Sequence, residues 1–225
     1  MKIGEKNTSD AVFVIAEIGN NHEGSINIAK KLIKKAAEAG ADAVKFQTFV
    51  PRKYVSINDI QRTKQLKKFQ FTIAQFKKLF EFAKKHNVIF FSTPFDINSA
   101  KALNKFQKIF KISSGDNNFF QLIETVANFN KPLIISTGFA DLKLVKKIYD
   151  KVKKIWNRKK LQNKLVFMHC VSSYPVENKD ANIKAILTFR NKFKDVLVGY
   201  SDHTIGNNAA KYSVLLGAQI IEKHF

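Results

Sequence analysis

The chain has 225 residues, 45% of them hydrophobic and 12% aromatic, and carries a net charge of +21; that suffices for one large domain with a substantial core. No apolar run approaches the roughly 20 residues of a membrane span, and the start Met1-Lys-Ile-Gly-Glu-Lys carries no signal-peptide core, so a cytoplasmic protein without membrane contact is expected. Cys170 is the only cysteine, which excludes an internal disulfide and any Cys-based zinc ribbon and leaves an inert thiol at a strand end as its expected state.

The basic charge comes mostly as lysine pairs spread through helical segments, among them Lys30-Lys31, Lys34-Lys35, Lys77-Lys78 and Lys146-Lys147. That distribution describes solvated helix faces and not one basic stripe. With no basic tail and no aromatic RNA-binding signature, specific nucleic-acid binding is not expected.

In chain order, one pattern repeats: a short run rich in Val, Ile and Phe, then polar residues, then an amphipathic segment. The runs are Val12–Ile18, Ala43–Phe49, Val88–Thr93, Ile109–Ser114, Pro132–Thr137, Leu165–Cys170, Val196–Ser201 and Ala218–Phe225. The segments between them keep the helical period, as in Ile28, Leu32, Ile33, Ala36 and Ala37. Gly40, Asn130 and Gly217 stand where helix C-caps are wanted. Thr72 and Gln75 have capping-box spacing. Eight strands alternating with helices predict a closed (β/α)8 barrel, a TIM barrel, as one α/β domain over residues 1–225. The rival open sheet lacks its glycine-rich fingerprint, since the first strand leads into Glu17-Ile-Gly-Asn-Asn-His22. The least patterned stretch, Val50 to Gln70, reads as a lid over the active site.

In such a barrel, chemistry sits at the C-terminal ends of the strands. These ends carry Glu17, Lys45 with Gln47, Ser92 with Thr93, Lys111 with Ser114 and Asp116, Ser136, His169 with Ser172 and Tyr174, Ser201 with His203, and Glu222 with His224. Strands seven and eight, joined by one crossover helix, bring His203 and His224 side by side. Two imidazoles there can grip a divalent metal and leave positions open for substrate. Lysines and hydroxyls around one mouth suit a phosphate and a carboxylate. Glu17, on the first strand beside the eighth, is a candidate acid or base.

These same residues resemble the N-acetylneuraminate (sialic acid) synthase family, the nonulosonic acid synthases. The resemblance runs through Ile15-Ala-Glu-Ile-Gly-Asn-Asn-His-Glu-Gly24, Ala39-Gly-Ala-Asp-Ala-Val-Lys-Phe-Gln-Thr48, Ser92-Thr-Pro-Phe-Asp96, Lys111-Ile-Ser-Ser-Gly115, Ser136-Thr-Gly138, His169-Cys-Val-Ser-Ser-Tyr-Pro175, Gly199-Tyr-Ser-Asp-His-Thr204 and Glu222-Lys-His-Phe225. It implies a transferase that condenses phosphoenolpyruvate with the aldehyde of an N-acyl mannosamine-type sugar. By the same resemblance, His203 and His224 hold a divalent metal, Mn2+ or Mg2+, and join Glu17 in catalysis. Lys45, Thr93, Lys111, Ser114, Ser136, Ser172 and Ser201 take phosphoenolpyruvate, while Gln47, Asp116 and Tyr174 take the sugar.

The family continues past His-Phe with an eighth helix and a small antifreeze-like (SAF) domain that serves a partner subunit, so a homodimer is the expected full-length state. The present chain stops at the eighth strand, and 1–225 alone is expected to be poorly stable and inactive. The alternatives are another phosphoenolpyruvate-condensing synthase of the deoxy-sugar phosphate type, an inactive truncated barrel, or a basic binding module without chemistry.

Overall fold

The computed structural model describes residues 2–3, 6–8, 11–161 and 164–225; residues 1, 4, 5, 9 and 10 of the polar N-terminal segment lie outside it. A two-strand antiparallel hairpin, β1 (Lys2–Ile3) and β2 (Lys6–Asn7), opens the chain and had no signal in the apolar pattern. The barrel strands follow: β3 (Phe13–Gly19), β4 (Ala43–Thr48), β5 (Ile89–Pro94), β6 (Phe110–Ile112), β7 (Leu133–Ser136), β8 (Leu165–His169), β9 (Leu197–Asp202) and β10 (Ile220–His224). Each predicted run coincides with one of them to within one or two residues at either end.

The strands form one parallel sheet in the order β5-β4-β3-β10-β9-β8-β7-β6. First and last barrel strands are therefore neighbours, with Ile220 opposite Phe13 and His224 opposite Glu17. The remaining seam lies between β5 and β6, where no ladder is formed among the described residues. Gln107, fully buried just before β6, spans it instead. Its Oε1 accepts from the Ser92 N–H at 3.0 Å and its Nε2 donates to the Ser92 carbonyl at 3.1 Å. A side-chain amide thus satisfies an edge backbone that would otherwise be buried and unpaired.

Two short helices, α2 (Pro51–Tyr54) and α3 (Ile60–Phe69), follow β4, while the outside is sheathed by α1 (Ile26–Glu38), α4 (Ile73–Lys85), α5 (Ile97–Leu103), α6 (Phe120–Ala127), α7 (Leu142–Arg158), α8 (Ala185–Lys192) and α9 (Asn208–Leu215). Their apolar stripes pack on the outward strand residues; Val145, Ile148, Val152 and Trp156 of α7 are all buried. The Thr72–Gln75 capping box forms in full at the start of α4. Gly217 (φ +99°) and Asn130 (φ +55°) take the left-handed conformation that ends a helix.

The stretch 50–70, unpatterned in the sequence, holds α2 and α3. Pro51 starts α2, and the Asp59 carboxylate caps α3 by accepting from the Arg62 N–H at 2.9 Å. Leu66 anchors α3 against Phe49 and Phe95. No helix among the described residues is long and apolar enough to cross a membrane.

Candidate active site

Side chains alternate across a strand, so residues two apart share a face. Phe13 and Ile15 point inward on β3, Ala43 on β4 and Ile220 on β10, and all belong to one apolar cluster inside the barrel. One step up the same faces come Glu17, Lys45 and Glu222, joined by Lys111 of β6. All four are at most 5% exposed.

They form a linked ionic quartet. Lys45 Nζ lies 2.7 Å from Glu17 Oε2 and 3.7 Å from Glu222 Oε2. Lys111 Nζ donates to both Glu222 oxygens, at 3.0 and 2.9 Å. Ser201 Oγ donates to Glu222 Oε1 at 2.9 Å. Isolated charges at this depth are costly, and such pairing is what permits them.

The two carboxylates are driven apart. Burial and the Glu222 charge raise Glu17 above the ordinary range despite Lys45 beside it. Burial also acts to raise Glu222, but Lys111 and Lys45 outweigh it and hold that group at about 2. Glu222 is the permanent anion of the quartet, and Glu17 is the carboxyl that can take or give a proton. With Glu17 ionised the four charges sum to zero; with it protonated they leave one positive charge facing the cavity, which suits an anion. Each lysine is engaged by a carboxylate before any ligand arrives.

Glu17 also sits at an irregularity. The β3–β4 register shifts between Glu17 and Gly19, which turns the strand end toward Gln47. Gln47 Nε2 donates to Glu17 Oε1 at 3.3 Å, and Gln47 Oε1 accepts from Asn20 Nδ2 at 3.0 Å.

His203 and His224 meet at the rim with ring centroids 5.4 Å apart. Val171 O and His203 Nδ1 are 2.6 Å apart, so Nδ1 carries the proton and Nε2 keeps its lone pair. Burial lowers His203, and partial desolvation with His203 alongside brings His224 down to about 4, so both rings are neutral near pH 7. Neutral imidazole is the metal-binding form, and the carbonyl contact behind His203 is the usual outer-shell support. No group of three or more His, Cys, Asp or Glu able to hold a metal occurs among the described residues. The pair therefore fits an ion whose remaining positions are filled by water or substrate oxygen. The end of β10 is tied down: the Phe225 N–H donates to Glu17 O at 3.0 Å and Asn21 Nδ2 donates to Phe225 O at 2.8 Å.

Above the quartet lies a cavity of about 540 Å³. Of the residues assigned from the sequence to catalysis, substrate or metal, it gathers Glu17, Lys45, Gln47, Lys111, Ser114, Asp116, Ser136, Ser172, Tyr174, Ser201, His203 and His224. Thr93 is the exception: it is buried, does not line the cavity, and its hydroxyl has no partner. Tyr174 packs on His203 at 4.1 Å and on His224 at 5.5 Å between ring centroids. Asp116 accepts from Ser113 Oγ at 2.8 Å, and burial raises its carboxyl.

Sequence reasoning missed Lys53 and Tyr54 of α2 as lining residues, together with Phe95, Phe119 and Phe139. The signal was Pro51, which marks a helix start immediately before Lys53 and Tyr54. Cys170, expected to be inert at a strand end, also reaches the cavity, with its Sγ 3.0 Å from Ser114 Oγ.

Fold and mouth define the class, a parallel (β/α)8 barrel with its polar and ionisable groups gathered at the C-terminal ends of the strands. The chain belongs to the NeuB family, whose sequence pattern matches residues 32–225. It superimposes on the N-acetylneuraminic acid (sialic acid) synthetase of Leptospira borgpetersenii with a TM-score of 0.93 and 34% identity, covering 100% of this chain and 77% of that one. It is 39% identical to the N,N'-diacetyllegionaminic acid synthase of Campylobacter jejuni, over 94% of this chain and 66% of that protein. It is 37% identical to the N-acetylneuraminate-9-phosphate synthase of Drosophila melanogaster, over 96% and 60% respectively. The chain thus spans somewhat less than two thirds of the length of these two relatives.

Proposed function

We propose that the protein condenses phosphoenolpyruvate with the open-chain aldehyde of an N-acyl mannosamine-type sugar, giving a nonulosonic acid and phosphate in the cytoplasm. The observation that carries this reading is the ionic quartet beneath a cavity rimmed by two neutral histidines. The names of the relatives support the product class.

Phosphoenolpyruvate brings a phosphate and a carboxylate. Lys45 and Lys111 face them from below, and the hydroxyls of Ser114, Ser136, Ser172 and Ser201 face them from the wall. Gln47, Asp116 and Tyr174 orient the sugar. A carbon–carbon bond forms between C3 of phosphoenolpyruvate and the aldehyde carbon, water adds at C2, and phosphate leaves. The aldehyde oxygen becomes a hydroxyl in this step, and Glu17 is the chain's proton donor for it. Glu222 keeps both lysines in place throughout. His203 and His224 would hold a divalent ion, Mn2+ or Mg2+, which when bound supplies Lewis acidity toward the aldehyde oxygen.

The test is phosphate release from phosphoenolpyruvate with N-acylmannosamines of differing acyl groups, with the sugar acid identified by mass. Release is expected to require both substrates and to stop on chelation. Release at the same rate without sugar would refute the reading.

A further inference from the structure

We propose that Asn117 is a positioning residue that sets the spacing of the hydroxyls on the anion-binding wall. The inference rests on the reading above, in which Ser114, Ser136 and Ser172 face phosphoenolpyruvate. Those three hydroxyls come from the ends of three different strands. Ser136 ends β7, while Ser114 and Ser172 lie beyond β6 and β8. The β6–β7 ladder stops at Ile112 opposite Ile135, so past that point the ladder no longer fixes how far Ser114 stands from Ser136.

Asn117 supplies the missing tie. It is 3% exposed and does not itself line the cavity. Its Nδ2 donates to the Gly138 carbonyl at 2.7 Å and to the Ser136 carbonyl at 3.3 Å. One buried amide group thus clamps the segment carrying Ser114 and Asp116 to the segment carrying Ser136 and Gly138. In a dry setting such bonds are strong and directional.

The clamp matters because of what converges on Gly138. A Cβ there would meet Ser172 Oγ at 2.5 Å, Ser114 Oγ at 2.7 Å and Cys170 Sγ at 3.1 Å. Two of the three proposed anion-binding hydroxyls therefore meet over the bare face of this glycine. Only a residue without a side chain lets them come so close. By holding the Gly138 carbonyl, Asn117 holds that face beneath both hydroxyls.

Asn117→Leu keeps the branched shape of the side chain and removes both donors. Direct phosphoenolpyruvate binding by calorimetry is expected to weaken about tenfold, with KM for phosphoenolpyruvate rising in step. KM for the sugar and the affinity for Mn2+ are expected to move by less than about twofold. Asn117→Ser, which keeps one donor, is expected to recover part of the loss. A merely structural asparagine predicts something else: easier unfolding in urea with phosphoenolpyruvate affinity unchanged, and that result overturns the proposal. If Asn117→Leu does not fold, Gly138→Ala decides. It leaves the amide in place and displaces the same two hydroxyls, so wild-type phosphoenolpyruvate affinity in that variant overturns the proposal. A wild-type protein that binds no phosphoenolpyruvate overturns both this inference and the functional reading, whereas unchanged variants of a binding wild type overturn this inference alone.

Discussion

The barrel interior holds two layers one residue pair apart along the same strands. The lower is apolar, with Phe13, Ile15, Phe91, Ile134 and Ile220 all fully buried. The upper holds Glu17, Lys45, Lys111 and Glu222, nearly as deep. Both are built from inward-facing positions of the same parallel strands, and apart from the register shift at Glu17 only the side chains differ. The lower layer removes hydrocarbon from water and stabilises the fold at about 25 cal/mol per Å². The upper layer takes four ionisable groups out of water and regains through pairing much of what that desolvation costs. The contrast assigns fold stability to the lower layer and leaves the upper one to the anion binding proposed for it.

Breaking the upper layer at one point is expected to have the largest effect. Lys111→Met leaves Glu222 with Lys45 at 3.7 Å as its remaining cation. Removing one partner of a buried pair costs about 3–5 kcal/mol of stability. Phosphoenolpyruvate binding is expected to fall more than sugar binding, because the lost charge faces the anion. Urea unfolding and calorimetry on the same preparation check both. In the lower layer, Phe91→Ala is expected to cost about 3–5 kcal/mol through the cavity it leaves. Its phosphoenolpyruvate affinity should fall much less than that of Lys111→Met wherever the variant is folded, since no charge is removed. A large affinity loss in Phe91→Ala would erase the distinction between the layers.

How much of this was legible in the sequence follows from the same two layers. The strands were visible because each is a short Val, Ile and Phe run closed by polar residues, and helix ends showed through Gly217, Asn130 and the Thr72–Gln75 box. The site residues were visible as strand ends, since alternation places Glu17 and Lys45 on the inward face. Their partners were not. Lys111 meets Glu222 across 111 positions of sequence, and only barrel closure with Ile220 opposite Phe13 makes that contact. The α3 helix was missed because Leu66 is its one buried residue, too little to mark a helical period. Thr93 stood at a strand end like the others, yet the structure buries its hydroxyl away from the cavity.

A buried ionisable group outside both layers sharpens the comparison. His22 is 1% exposed and stacks on Phe71 with centroids 4.1 Å apart. Its Nδ1 accepts from the Gly24 N–H at 3.0 Å, so the ring is neutral with its proton on Nε2, which has no partner. Burial lowers its pKa from 6.5 to about 4. The unfolded chain takes up a proton below about pH 6.5 that the folded protein refuses, so stability is lost as pH falls from there toward 4 and not above. The whole effect is about 3 kcal/mol. His22→Asn keeps an acceptor for Gly24 and cannot titrate, so its stability should fall less steeply over that window. Parallel pH profiles of the two proteins in urea would expose an error here.

The smallest expected effect on stability is also the most telling. Lys111→Met combined with Glu222→Leu removes a cation and an anion together, and Glu17 with Lys45 remains a balanced pair at 2.7 Å. No charge is stranded, and the new side chains extend the apolar layer upward by one step. Replacing a buried ion pair with hydrocarbon of similar volume is commonly neutral or stabilising. The double variant should therefore unfold within about 1 kcal/mol of wild type, recovering most of what Lys111→Met alone loses. The Ser201 hydroxyl, which donates to Glu222, loses its acceptor and is the main residual cost. Phosphoenolpyruvate binding should not return, because the cation that faces the anion is still gone. Restored stability with lost binding would separate the two layers by function. A double variant as unstable as the single one would show that the ionic layer also holds the barrel together.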